Sequence, residues 1–158
     1  MLVKILVTLL ILVTGGLLMS GIAIYQNQLP LLSTPGVLER LRIYLTSNVA
    51  ETAAEPRLPE LELRSYSGDP EYLLDLSRQA IQSLDWELVS YDANSREIHA
   101  IARTPLWSFR DDVLVRIQPY DNDDQSVYVR SSSRLGRGDL GKNSRNILDF
   151  YQALEQRL

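Results

Sequence analysis

The chain opens on an unbroken apolar block and only later settles into short alternating runs. Ile5 to Tyr25 is 21 residues without a charge, which as a helix spans about 31 Å and matches a hydrocarbon core of roughly 30 Å. The block predicts one transmembrane helix within a membrane anchor over residues 1–28. A cleaved signal peptide is the competing reading, because Gly21-Ile22-Ala23 offers small residues at a cleavage spacing, although the apolar stretch exceeds a usual signal core. Lys4 and the terminal amine are the only positive charges before Arg40. That bias keeps the N-terminus cytoplasmic and turns the rest of the chain outward.

Residues 29–60 read as a linker. Thr34 can cap and Pro35 can begin a juxtamembrane helix carrying Val37, Leu38, Leu41, Tyr44 and Leu45 at helical spacing. This helix either lies in the membrane interface, with Arg40 and Arg42 near headgroups, or packs on its own domain. Thr46 to Glu60 has no clear period and reads as an irregular connection.

Residues 61–158 form the expected domain. Leu61 to Tyr66 alternates as a strand; Asp69-Pro70 caps and starts a helix to Leu84 with Leu73, Leu76, Ala80 and Leu84 on one stripe, flanked by Leu74 and Ile81. Turn residues then divide the middle into strands at Trp86–Tyr91, Arg96–Thr104, Asp112–Pro119 and Ser126–Arg134. A closing helix over Gly141–Arg157 places Ile147, Phe150, Tyr151, Leu154 and Leu158 on one side. The order predicts an α+β fold: an antiparallel sheet of about five strands with two helices on one face. Val113, Val115, Ile117, Val127 and Val129 point inward. Asp112, Leu114, Arg116, Tyr128, Arg130, Ser132 and Arg134 then make an arginine-rich open face, joined by His99 and Arg103 if Ile98, Ala100 and Ala102 point inward.

Composition narrows the chemistry. Of 158 residues 45% are hydrophobic and 23% charged, which suits one domain plus an extension. Lys4 is the one charge in the first 25 residues, so the remainder carries a formal charge of about −5, and an acidic domain repels phosphate backbones. Nucleic acid is excluded as a partner. With no cysteine and one histidine, His99, thiol catalysis, disulfides and cysteine-held metals are excluded, and no metal or cofactor is expected.

Against that acidic background the segment from Tyr128 to Arg145 holds Arg130, Arg134, Arg137, Lys142 and Arg145 with one acid, Asp139. Gly136 to Asn143 fits G-x-x-x-x-G-K, but Asn143 stands where a phosphate loop needs Ser or Thr, and no parallel sheet follows. What survives is an anion cradle at a helix start, beside Arg137 and Lys142, or a tight turn whose helix is capped by Asp139. Arg137-Gly138-Asp139 spells an adhesion tripeptide inside a turn with its own logic. Asp121, Asp123 and Asp124 lack the glycine and the final glutamate of a calcium loop. Asp111-Asp112 could serve as a carboxylate pair for acid and base work, or form salt bridges with nearby arginines.

Phe109-Arg110-Asp111-Asp112-Val113 with Arg116, then Val129 to Gly141 and Asn143, resembles the domain of unknown function 1499 family. Its signature here is S-x-S-R-x-G-x-x-D-L-G-x-N after a strand and before a final helix, within a resemblance that covers roughly Asn48 to Leu158. The family commonly has Asn-Cys-Val-Ser-Ser near its start. This chain has Asn48-Val49-Ala50-Glu51-Thr52, so a role for that cysteine does not carry over. The resemblance implies a bacterial or organellar envelope setting and no activity, substrate or cofactor.

The sequence thus predicts a single-pass protein of an inner, cytoplasmic-type membrane, with a periplasmic binding or assembly module. Its candidate binding residues are Asp112, Arg116, Arg130, Arg134, Arg137, Asp139 and Asn143, and its candidate partners an anionic small molecule, a lipid headgroup or an envelope protein. The alternatives are an envelope enzyme using Asp111, Asp112 and His99, and a purely structural envelope protein.

Overall fold

A computed structural model describes residues 1–103 and 109–158. Helix α1, Leu2–Gln26, has a mean hydropathy of 2.4 over its most apolar stretch and is long and apolar enough to cross a membrane, a test that signal sequences also pass. Helix α2 is Val37–Thr46, β1 Val49–Glu51, β2 Arg64–Ser67, α3 Pro70–Ser83, β3 Glu87–Asp92, β4 Glu97–Arg103, β5 Arg110–Pro119, β6 Asp124–Ser133 and α4 Lys142–Glu155.

All six strands pair antiparallel in the order β1-β6-β5-β4-β3, with β2 sharing the outer edge of β6 beside β1. Helices α3 and α4 touch each other and cover one face. Alternation places Ile98, Ala100, Ala102, Val113, Val115, Ile117, Val127 and Val129 under them, each no more than 2% exposed. From above come Leu73, Leu74, Leu76, Ala80 and Ile81 of α3 and Ile147, Phe150, Tyr151 and Leu154 of α4. Asp69 starts α3 by accepting hydrogen bonds from the backbone N–H groups of Glu71 and Tyr72.

Several elements depart from the sequence reading. The stretch 46–60 is not wholly irregular, because β1 lies in it, with Ala50 turned inward against β6. Leu61 belongs to a short 3-10 turn, Pro59–Leu61, so the next strand starts only at Arg64. The expected strand end at Thr104 lies outside the described residues. Leu158 is exposed rather than packed, since α4 stops at Glu155.

Helix α2 begins at Val37 rather than Pro35, after Gly36 at φ 104°. Its packing is unusual. Arg40, fully buried, donates to both carboxylate oxygens of Glu60 at 2.5 and 2.9 Å, to the Tyr44 hydroxyl, and to the carbonyls of Ser33 and Thr34. Five acceptors satisfy the whole guanidinium fork. Arg40 therefore faces its own domain and not headgroups.

Candidate functional site

The candidate site is built where β6 ends, the chain turns over residues 134–141, and α4 begins. The inward parity of Val113 and Val129 continues into polar residues at this end of the sheet. Asp111, next inward on β5, lies opposite Ser133 of β6, and the Ser133 hydroxyl donates to its carboxylate at 2.6 Å. Ser131 donates to Asn143 Oδ1 at 2.6 Å. Asn143 and Asn146, three apart on one side of α4, reach down to the strands. Asn143 Nδ2 donates to the Asn48 carbonyl and to Ser133 Oγ; Asn146 Nδ2 donates to Asp111 and to Ser131 Oγ. Asp111, Ser131, Asn143 and Asn146 are at most 1% exposed. They form an internal cluster that fixes α4 to the sheet, in which Asn146 Oδ1 has no hydrogen-bond partner among the described residues.

The turn itself is set by Asp139, which accepts from Gly141 N and Asn143 N, both at 2.8 Å. Its carboxylate thereby occupies two of the N–H groups that the start of α4 would otherwise offer, and its carbonyl takes a third, Lys142 N. Two glycines are needed for different reasons. Gly141 has φ 84°, a left-handed conformation, and a Cβ at Gly138 would stand 2.3 Å from the Leu45 carbonyl oxygen. The turn is thus pressed against the end of α2, where Leu140 N donates to the Tyr44 carbonyl and Asp139 N to that of Ser47. The end of α1 is tied to the same place. Asn27 Nδ2 donates to the Leu140 carbonyl at 2.9 Å, and the Leu29 side chain covers Gly141.

Burial raises the Asp139 carboxyl above its ordinary value and lowers the Lys142 amine, while the bonded Arg134 guanidinium holds Asp112 below the usual carboxylate range. For Asp139 the folded state keeps its proton more tightly than the unfolded chain, so its contribution falls as pH rises from about 3.9 through the folded value. For Asp112 the sign is opposite: stability is present above about pH 3.9 and is lost as pH falls through the depressed value. Thermal melts across the acid range should show Asp112→Asn flattening the acid limb below about pH 4. Asp139→Asn should remove a slope of the other sign above it. Coincident profiles for the two variants would contradict these assignments.

The seven sequence-predicted residues do not converge on one point. Asp139 and Asn143 belong to the turn and the internal cluster. Asp112 and Arg134 pair with each other on the open face, at 2.6 and 2.9 Å, where Arg116 pairs with Glu97 and Arg130 reaches, among the described residues, only Ser132. Arg137 is exposed on the turn and has no hydrogen bond or ion pair among the described residues. Asp111 and Asp112 cannot act as a pair, because neighbours on a strand point to opposite faces. The groove of about 350 Å³ between α2, β1 and the turn is lined by Tyr44, Ser47, Glu51, Arg57, Asp139 and Ser144 among others, and by none of Asp111, Asp112 and His99.

Sequence reasoning missed Asn48 and Asn146 as members of the cluster, although the Asn143–Asn146 spacing signals a shared helix face. It also missed a row of three arginines. Arg103 lies opposite Arg110 in the β4–β5 register, and Arg110 O accepts from Arg134 N, so three arginines occupy neighbouring positions across the strands at one end of the open face. Glu87 neutralises Arg103 and Asp112 neutralises Arg134. Arg110, between them and exposed, has no partner among the described residues.

A profile of the family described as protein of unknown function (DUF1499) matches residues 44–154. A comparison with curated proteins finds no match.

Proposed function

Because the chain belongs to the DUF1499 family, whose matched segment takes in the sheet, α3 and nearly all of α4, we propose one function for that whole unit: a membrane-anchored, extracytoplasmic module that binds an anionic partner through the open face of its sheet. Helix α1 is the anchor, in an inner, cytoplasmic-type membrane, with Lys4 on the cytoplasmic side. The observation that carries the binding reading is Arg110. Adjacent strands lie about 4.8 Å apart and like charges side by side are unfavourable, yet Arg110 stands between two other arginines with no carboxylate of its own among the described residues. Arg130, further along β6, also has no carboxylate partner among the described residues. A purely structural protein has no use for such a row, whereas a carboxylate, phosphate or sulfate group would bridge it through paired N–H donors.

Placing the anion on this face, rather than at the helix start, follows from Asp139 already holding the helix N–H groups. The test is a thermal-shift series on the full chain in detergent, with pyrophosphate and citrate as probes. Both should raise the melting temperature of the wild type at low salt and do so less as salt rises. Arg110→Ala should melt no lower than wild type, having relieved like-charge crowding, and Arg110→Ala/Arg130→Ala should lose the response. Equal responses in wild type and double variant would sink the reading.

A further inference from the structure

Helix α2 is inside out. It buries Arg40 and Tyr44 and shows Leu38 and Leu45, which are 85% and 53% exposed, with the Arg42 side chain, 74% exposed, between them on the same stripe. Positions 38, 42 and 45 lie on the side of the helix opposite 40 and 44, so the packing that satisfies Arg40 forces the leucines outward. Two more leucines are bare nearby: Leu32, 90% exposed in the segment before α2, and Leu135, 71% exposed in the turn that α2 packs against. Isolated exposed leucines mean little, but Leu38 and Leu45 share one stripe of α2 and Leu135 is bare in the turn packed against the end of that helix, which makes a patch that wants cover.

The position of the patch says what covers it. The end of α1 is bonded at Asn27 to Leu140, and Leu140 is bonded to Tyr44 of α2. The C-terminal end of α2 and the turn therefore sit within a few residues of the point where α1 leaves its apolar span. Ten helical residues carry α2 only about 15 Å from there. With α1 in a bilayer, this part of the domain is held at headgroup depth. We infer that α2 lies in the membrane interface, with Leu38, Leu45 and Leu135 among the acyl chains and Arg42 and Arg137 at the lipid phosphates. Glu39, the one acid of α2, is bonded by Arg57, so its charge is met within the protein without Arg42, which stands 3.7 Å away. Arg40 takes no part, being spent inside the domain.

This inference rests on the reading of α1 as a membrane span, and the test separates the two. The chain has no cysteine, so Leu10→Cys, Leu38→Cys, Leu45→Cys, Leu135→Cys and Asn94→Cys each give one labelling site on the full chain. Each would carry an environment-sensitive fluorophore in phosphatidylcholine vesicles containing a minority of phosphatidylglycerol. Labels at 38, 45 and 135 should emit to the blue of the label at 94, resist quenching by iodide and be quenched by lipid-borne quenchers. The label at 10 reports α1 alone. A buried label at 10 with water-like labels at 38, 45 and 135 overturns the interfacial placement and leaves the span standing. A water-like label at 10 removes the span and the inference with it. Protection at 38 and 45 that disappears when chains are diluted to one per vesicle would mean that a second copy covers the face, and that also overturns the inference.

Discussion

Glu60→Ala is expected to destabilise the folded chain by about 3–5 kcal/mol, the usual cost of leaving one member of a buried ion pair uncompensated. Arg40 has no exposed surface through which water could replace the lost carboxylate. Its remaining acceptors, the Tyr44 hydroxyl and two carbonyls, are neutral. The expected consequence is local as well as global: the end of α2 should come away from the turn, exposing Gly138 and Leu140. Urea denaturation in detergent would give the free energy, and amide exchange at Leu140 the local opening. Because an ion pair replaced on both sides by apolar groups is often near neutral, Arg40→Met/Glu60→Leu should recover part of the loss. A loss no larger than that of a surface substitution, about 0.5 kcal/mol, would mean that the guanidinium finds other cover.

Asn143→Leu should cost a similar amount. It removes three side-chain hydrogen bonds, from the Ser131 hydroxyl and to the Asn48 carbonyl and Ser133 Oγ, at about 1 kcal/mol each, and leaves the buried Ser131 hydroxyl without its acceptor, at about 1–3 kcal/mol more. At about 4–8 °C per kcal/mol for a domain of this size, the melting temperature should fall by more than about 10 °C. Arg137→Ala, on the same turn but exposed and without an ion pair among the described residues, should leave it within the small range of surface changes. If the two variants melt together, the cluster is not what fixes α4.

The contrast between these two residues also shows what could be read from the chain. Period-two alternation in Val113–Ile117 and Val127–Val129, and helical spacing in Leu73–Ile81 and Ile147–Leu154, gave the sheet, its two faces and both covering helices. They did so because apolar burial depends on local periodicity. The Asp69 cap of α3 was legible for the same reason: its partners are two and three residues away. Strand β1 was not, since three residues carry no period and their pairing lies on β6. Arg40 and Glu60 are 20 residues apart with an irregular segment between, so nothing local marked them as partners. The polar cluster was half legible. Asp111, Ser131 and Ser133 continue the inward parity of Val113 and Val129, and a polar residue at an inward position needs an internal partner, but which helix residues supply it depends on how α4 is docked. The motif arginines and acids split for a geometric reason: Asp112, Arg116, Arg130 and, just past the strand's end, Arg134 are outward positions of β5 and β6, whereas Asp139 and Asn143 are drawn in by the turn and the start of α4.

The bond from Asn27 to Leu140 joins residues 113 apart in the chain, and its consequence is one of timing. The ribosome makes the end of α1 well before the turn it docks against. At roughly 5–20 residues per second, the end of α1 waits on the order of 6–23 s for Leu140 to be synthesised. The β3–β4–β5–β6 meander closes through short loops and forms early by comparison. The contacts between the end of α1 and the turn therefore form after the meander, and until then Leu29 has no Gly141 to cover.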